Sequence, residues 1–256
     1  MNYTEKEHLL KSLNAGYRFD GRTLEDWRNL EIETDLISTS EGSARVKLGN
    51  TEVLAGVKLS IGSPFGDRPN EGVLMVGCEL LPMAYESIES GPPGIDAIEI
   101  GRVIDRGIRE SKSVDVEELC IVPGEKVWMV SVDIVPLNHD GNIIDAGAIA
   151  ALAALKTTRF PEIVNGVVDY KHLSDKKLIV EKEPIAVTVG KIGDHLIIDP
   201  TKDEEDVLDA RLTCTIGQDG KFCSLQKGGE TPFTIDEIDQ IFELAMVKSD
   251  EIRKQL

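Results

Sequence analysis

Aromatic residues are scarce in this chain of 256 residues, only 5% of the total, so its core must be built from Val, Ile, Leu and Ala. Basic residues are also outnumbered, 28 Lys and Arg against 46 Asp and Glu, for a formal charge of −18. A surface that is basic all over is thereby excluded. Any nucleic-acid contact must be a local patch, because phosphate affinity comes from clustered Lys and Arg. The bland reading of such acidity is solubility alone. The four cysteines, Cys78, Cys120, Cys214 and Cys223, lie far apart without a CxxC pair, which excludes the usual zinc spacings and implies no disulfide framework. Reduced, mostly buried thiols in a cytoplasmic protein are expected. No apolar run approaches a membrane span. The polar start "MNYTEKEHLLKSL" has no signal-peptide h-region. His8, His139, His172 and His195 form no ligand-spaced pair, and there is no G-x-S-x-G, P-loop or H-E-x-x-H motif.

What is present reads, after a short first helix, in the order strands, helix, strand, helix, then strands and a helix. Residues 4–14 predict a helix with Thr4 as cap and Glu7 completing a capping box. "GYRFDGRTLEDWRNL" then places Arg18, Asp20, Arg22 and Arg28 around a DG turn. Residues 30–61 alternate as strands, with "GN" at 49–50 as a hairpin turn, and 62–72 read as a loop. "VLMVGCELLPMA" reads as a buried strand, 95–113 as an amphipathic helix, "EKVWMVSVDIVPLN" as a strand, and 145–158 as a small-residue helix with Asp145 as N-cap. The stretch 164–183 reads as a polar connection. A second strand group follows, and a last helix is capped by Thr234 or Asp236. Strands grouped before helices predict an α+β fold rather than a doubly wound sheet.

Three segments can carry chemistry. On the helix 95–113, Arg102, Arg106 and Arg109 are spaced by four and three residues. At about 100° per residue they fall within roughly 60° of one another. Ile100, Ile104, Ile108, Gly107 and Ser111 form the opposite, buried face. The stripe is either a polyphosphate-binding patch or a solvated face laced by Asp105–Arg109 and Arg106–Glu110 pairs. "IIDPTKDEEDVLDARL" concentrates carboxylates that suit Mg²⁺ or a general acid, or simply a strand-ending turn. "LNHDGNIIDAGAIAALAAL" leads a turn into a helix N-terminus, the place for an anion, yet supplies no Lys, Arg or hydroxyl there. Its Ala and Gly residues require another backbone to come close.

Together, "YRFDGRTLEDWR", "GSPFGDRPNEG", "EIGRVIDRGIRESK", "DGNIIDAGAIAALAAL" and "IIDPTKDEEDVLDARLTCTIGQDGKFCSLQKGG" resemble the RNase PH family, most closely its archaeal exosome branch. The resemblance implies the ribosomal protein S5 domain 2-like fold, with two βαβ-type halves packed together at residues 1–160 (core from about 15) and 161–256. It implies six-membered rings and phosphorolysis of RNA from the 3′ end. No cofactor and no metal site is expected in this chain. Active members carry D-G-G-T-R-T, whose Thr-Arg pair holds the attacking phosphate. Here Asn142, Ile143 and Ile144 replace its second Gly, Thr and Arg. Two isoleucines desolvate an anion without pairing it. Asp199 matches the family's first aspartate, and Glu205 stands where the second belongs. The arginine helix matches the family's basic helix, which reaches a neighbour's active site. That ranks Arg106 and Arg109 slightly ahead of Arg102 as RNA- or phosphate-binding residues. No catalytic residue is then expected in this chain. It would be a non-catalytic subunit alternating with an Rrp41-type catalytic subunit in a trimer of heterodimers, around single-stranded RNA, beneath caps of Rrp4 or Csl4 type. The rival readings are a self-sufficient homohexameric enzyme that uses Asp199, and a pure scaffold.

Overall fold

The alternating pattern of residues 30–61 becomes an antiparallel meander in the computed structural model, which describes residues 3–164 and 167–256. β1 (Leu30–Thr34), β2 (Gly42–Leu48) and β3 (Thr51–Gly62) pair in sequence, with Val46, Val53, Ala55 and Val57 directed into the core. The β2–β3 turn is the expected Gly49-Asn50 pair. Gly49 has φ +58, and a Cβ there would lie 2.5 Å from Arg28 Cδ, so glycine is required twice over. β4 (Val73–Cys78), α2 (Ile95–Glu110) and β6 (Lys126–Asn138) form a βαβ crossover, the one parallel pairing among the described strands. The first sheet runs β1-β2-β3-β6-β4, with β5 (Cys120–Val122) on β6.

The second sheet is antiparallel, in the order β10-β9-β11-β12, from β9 (Ile185–Ile192), β10 (His195–Ile198), β11 (Ala210–Ile216) and β12 (Phe222–Gly229). Between the sheets lies α3 (Ile143–Thr157), buried along nearly its whole length. Its small residues serve the close approach that the composition required. A Cβ on Gly42 of β2 would lie 2.4 Å from the Ala154 carbonyl, and one on Gly147 would lie 3.0 Å from Ile104 of α2. One apolar cluster therefore spans both sheets, from Val46 and Ile134 through Leu152 to Val187 and Ile241. α5 (Ile235–Arg253) covers the second sheet. Thr234 Oγ1 accepts from Glu237 N at 3.2 Å and the Glu237 carboxylate accepts from Thr234 N, a capping box that decides between the two expected caps.

Four expectations are corrected. Residues 164–183 are not a simple connection: β7 (Arg159–Val164) and β8 (Val167–Lys177) form a separate hairpin. Backbone pairing holds β8 while Val167, Tyr170 and Leu173 stay exposed, so no buried face marks it in the sequence. α2 stops at Glu110 rather than 113, because Lys112 turns to φ +55. α3 starts two residues early, at Ile143, and its N-cap is Asn142 rather than Asp145. α5 ends at Arg253 rather than at the last residue. α1 (Tyr3–Asn14) is present, but the Thr4 capping box lies outside the residues whose side chains are described. All four cysteines are free, and burial pushes the Cys78 and Cys214 thiols up to about 12.

Candidate functional site

The turn after β10 carries Asp199, fully buried in a left-handed conformation (φ 49), where Asp is tolerated better than most residues. Its carboxylate accepts five hydrogen bonds. Arg28 donates from its backbone N and from Nε, both at 2.9 Å, and from Nη2 at 2.7 Å. Arg22 Nη1 donates at 3.0 Å and Asn142 Nδ2 at 2.9 Å. Arg28 spans onward to the carbonyls of Asp140 and Gly141 and to Thr51 Oγ1. Alongside, Arg18, only 1% exposed, forks onto the Glu204 carboxylate and the carbonyls of Ile198 and Asp199. Buried charges persist only when paired and hydrogen-bonded in this way. With its lone pairs taken, Asp199 has no position from which to move a proton to or from a substrate. Arg18, Arg28 and Glu204 were missed as a unit in the sequence, where basic and acidic residues lie more than 170 positions apart.

Asn142 caps α3 at φ 54, a backbone region that asparagine tolerates. Its Nδ2 bridges Asp145, at 3.0 Å, and Asp199. Asp145, in the first turn, is fully buried and accepts from Thr188 N and Thr188 Oγ1, both at 2.8 Å. Burial pushes its carboxyl up to about 7, against the lowering effect of those hydrogen bonds. At the helix entry the Asn142 N–H donates to Glu205 Oε2 at 3.0 Å. The chain's own carboxylate thus occupies the place of an external anion.

Over this entry lies a cavity of about 360 Å³ whose lining includes Ile143, Ile144, His139, Lys202, Glu205 and Arg211. Its cations are already engaged. Lys202 pairs with Asp206 and lies over the Tyr85 ring, and Arg211 pairs with Glu99 at 2.7 Å. His139 is held down to about 4, by burial first and then by Lys202, so it is neutral at pH 7. Burial raises the Glu205 carboxyl. The acidic segment resolves into a turn and the single-turn helix α4 (Lys202–Glu205), with Thr201 and Glu204 forming its capping box. Among the described residues no group of three His, Cys, Asp or Glu side chains is placed to hold a metal.

The arginine helix α2 buries Ile100, Val103, Ile104 and Ile108, as the periodicity predicts, and Gly107 lets it close on Thr215 of β11. The three arginines on its outer side are not equivalent. Arg109 donates to both Asp105 oxygens, at 2.7 and 3.1 Å, and to the Leu74 carbonyl at 2.8 Å, and its pairing with Asp105 raises its pKa. Arg102 and Arg106 are exposed and have no hydrogen-bond or ion-pair partner among the described residues, the expected Arg106–Glu110 pair included.

The model of the 3′ exoribonuclease family matches with its domain 1 over residues 26–161 and its domain 2 over residues 182–248. The Exosome complex component Rrp42 of Thermococcus onnurineus is 46% identical over 255 residues, covering 98% of this chain and 93% of the relative. That of Methanopyrus kandleri is 43% identical over 252 residues, covering 98% and 94%. Among solved structures, a chain of the Archaeoglobus fulgidus exosome with RNA bound to the active site superposes with a TM-score of 0.93 at 39% identity, covering 98% of this chain and 97% of that one. A chain of an archaeal exosome core gives 0.88 at 36% identity, covering 98% and 96%. With both family domains in place and near-complete coverage of these relatives, the chain belongs to the 3′ exoribonuclease family, the family of RNase PH.

Proposed function

We propose that this chain is a non-catalytic subunit of an archaeal exosome ring, a phosphorolytic 3′→5′ exoribonuclease, in which it structures the partner's active site and contacts RNA. The carrying observation is the entry to α3. Ile143 and Ile144 stand where phosphate would be held, and Glu205 occupies the Asn142 N–H. Desolvating an inorganic phosphate against two isoleucines and a carboxylate is unfavourable. Asp199, on which a self-sufficient enzyme would depend, is consumed by Arg28, Arg22 and Asn142.

The partner in this reading is an Rrp41-type catalytic subunit in a trimer of heterodimers, with Rrp4- or Csl4-type caps and single-stranded RNA in the channel. The family halves meet near residue 160, and the assembly works in the cytoplasm. No described helix is long and apolar enough to cross a membrane. RNA phosphates meet Arg102 and Arg106, the two cations of the stripe without a partner among the described residues, while Arg109 serves mainly to brace α2 against β4. The test is phosphate-dependent release of nucleoside diphosphates from RNA, measured with the chain alone and with an Rrp41-type subunit. Turnover only in the mixture, together with a ring by native mass spectrometry, is expected. Turnover by the chain alone would establish the homohexameric enzyme instead.

A further inference from the structure

Two carboxylates of α2 are spaced to neutralise Arg102, and neither does. Glu99 lies three residues before it and Asp105 three residues after it, each about 60° around the helix from Arg102. Asp105 follows the arginine, the less favourable order for a helical ion pair, and both its oxygens accept from Arg109, at 2.7 and 3.1 Å. Glu99 precedes Arg102, the order that pairs well. Left to its own helix, Glu99 would close Arg102 down.

The second sheet takes Glu99 away. Arg211 Nη2, from β11, donates to its Oε2 at 2.7 Å, and Gln226 Nε2, from β12, donates to its Oε1 at 3.3 Å. Both Glu99 and Arg211 are partly buried, so their pair is screened less than a pair with the exposed Arg102 would be. The backbone makes room for it. Gly228 is the β12 register partner of Arg211, and a Cβ there would lie 2.8 Å from both Cζ and Nη1 of the guanidinium. Gly228 is not in the left-handed region, so what its missing side chain provides is space.

We propose that Arg211 is a positioning residue for RNA: by holding Glu99 against the second sheet, it keeps Arg102 free of a counter-ion on its own helix and open to a phosphate. Arg211 touches no RNA itself. The proposal rests on the reading of Arg102 as an RNA contact.

Filter binding of single-stranded RNA at low salt, to rings assembled with an Rrp41-type subunit, tests it. Arg211→Met frees Glu99 to pair with Arg102. RNA must then displace that carboxylate, so affinity is expected to fall about twofold to fivefold, the strength of an exposed ion pair. Gly228→Ala displaces the guanidinium without changing any charge and should act in the same direction. Two further arms separate positioning from a merely structural role. Adding Glu99→Gln should return either variant to the affinity of Glu99→Gln alone. In an Arg102→Ala background, neither Arg211→Met nor Gly228→Ala should lower affinity further. Parental affinity in Arg211→Met rings, or in Gly228→Ala rings where the former do not assemble, would overturn the proposal. So would a loss that survives Glu99→Gln or Arg102→Ala. If Arg102→Ala alone weakens binding while those variants do not, the RNA contact stands and only the positioning role falls. If Arg102→Ala alone changes nothing, both fall.

Discussion

Arg28 holds Asp199 through three nitrogens at once, Nη2 at 2.7 Å and Nε and the backbone N at 2.9 Å. The same guanidinium reaches the carbonyls of Asp140 and Gly141, so one side chain ties the N-terminal segment to the turn before α3 and to the turn after β10. The two turns are locked to each other, a brace in which every charge is answered internally.

Arg28→Met should therefore unfold more easily in urea, by up to about 3–5 kcal/mol, the usual cost of breaking a buried ion pair, lessened here because Arg22 and Asn142 still hold Asp199. The double variant Arg28→Met plus Asp199→Asn should cost clearly less than the sum of the single changes, because neither charge is then stranded. RNA phosphorolysis per assembled ring should not change in Asp199→Asn if the ring forms. A large loss of turnover in an intact ring would return Asp199 to the chemistry.

Asp145 gives a pH signature. Its folded pKa of about 7 lies above the unfolded value of about 3.9, so the folded state holds a proton that the unfolded state releases. Its contribution is fully present below about pH 4 and is lost as pH rises to about 7, by at most about 1.4 kcal/mol per pH unit. His139 acts in the opposite sense. Held at about 4 when folded, against about 6.5 unfolded, it favours the folded state increasingly between those values. Asp145→Asn isolates the first effect. Its amide can donate to Thr188 Oγ1, which then donates to Thr213 Oγ1, so the hydrogen bonds survive. The stability of the variant relative to the parent should climb from pH 5 to 7 and then level off in urea titrations. A difference independent of pH would show that Asp145 ionises normally.

The arginine helix and the small-residue helix were legible because both are periodic. Ile100, Ile104 and Ile108 repeat every four residues, and Ala and Gly announce close packing whatever the partner. The β8 strand was not legible, since Val167, Tyr170 and Leu173 face solvent and the strand is held by backbone pairing with β7. The entry to α3 was half legible. The missing Lys, Arg and hydroxyl were visible in the sequence. Glu205 filling the anion position depends on a contact across 63 residues, which no local pattern encodes. The division among the arginines was likewise hidden, because i,i+4 spacing offered Arg106 to Glu110 as readily as Arg109 to Asp105. Only Arg109 has the Leu74 carbonyl as a further acceptor to fix its fork.

Restoring the residue types of a phosphate site should not restore its function. In Ile143→Thr plus Ile144→Arg, the new guanidinium enters a cavity lined by Glu205 and Asp206. A carboxylate at contact distance outcompetes dilute phosphate for it, and the Asn142 N–H remains on Glu205. The variant without a partner subunit should release no nucleoside diphosphate from RNA. Turnover above background would mean that the two side chains alone separate this chain from an enzyme.

The arginine stripe supplies the sharpest test, because its members make opposite predictions. Arg102 and Arg106 are exposed and have no partner among the described residues, so Arg102→Ala plus Arg106→Ala should shift stability by about 0.5 kcal/mol or less. If each meets one phosphate of single-stranded RNA, removing both should flatten the slope of log affinity against log salt by about 1.4, from about 0.7 per contact. Charge-assisted hydrogen bonds of this kind are worth about 1.5–3 kcal/mol, so affinity at low salt should fall by about tenfold or more, with the ring intact. Arg109→Ala should behave differently. It loses an exposed pair with Asp105, worth about 0.2–1 kcal/mol, and the tie to Leu74, while RNA affinity and its salt slope barely change. Filter binding at several salt concentrations, alongside native mass spectrometry of each ring, separates the two patterns. An Arg109→Ala ring that loses more RNA affinity than the Arg102 and Arg106 double variant would overturn the assignment, because the paired arginine would then have to leave Asp105 for the RNA.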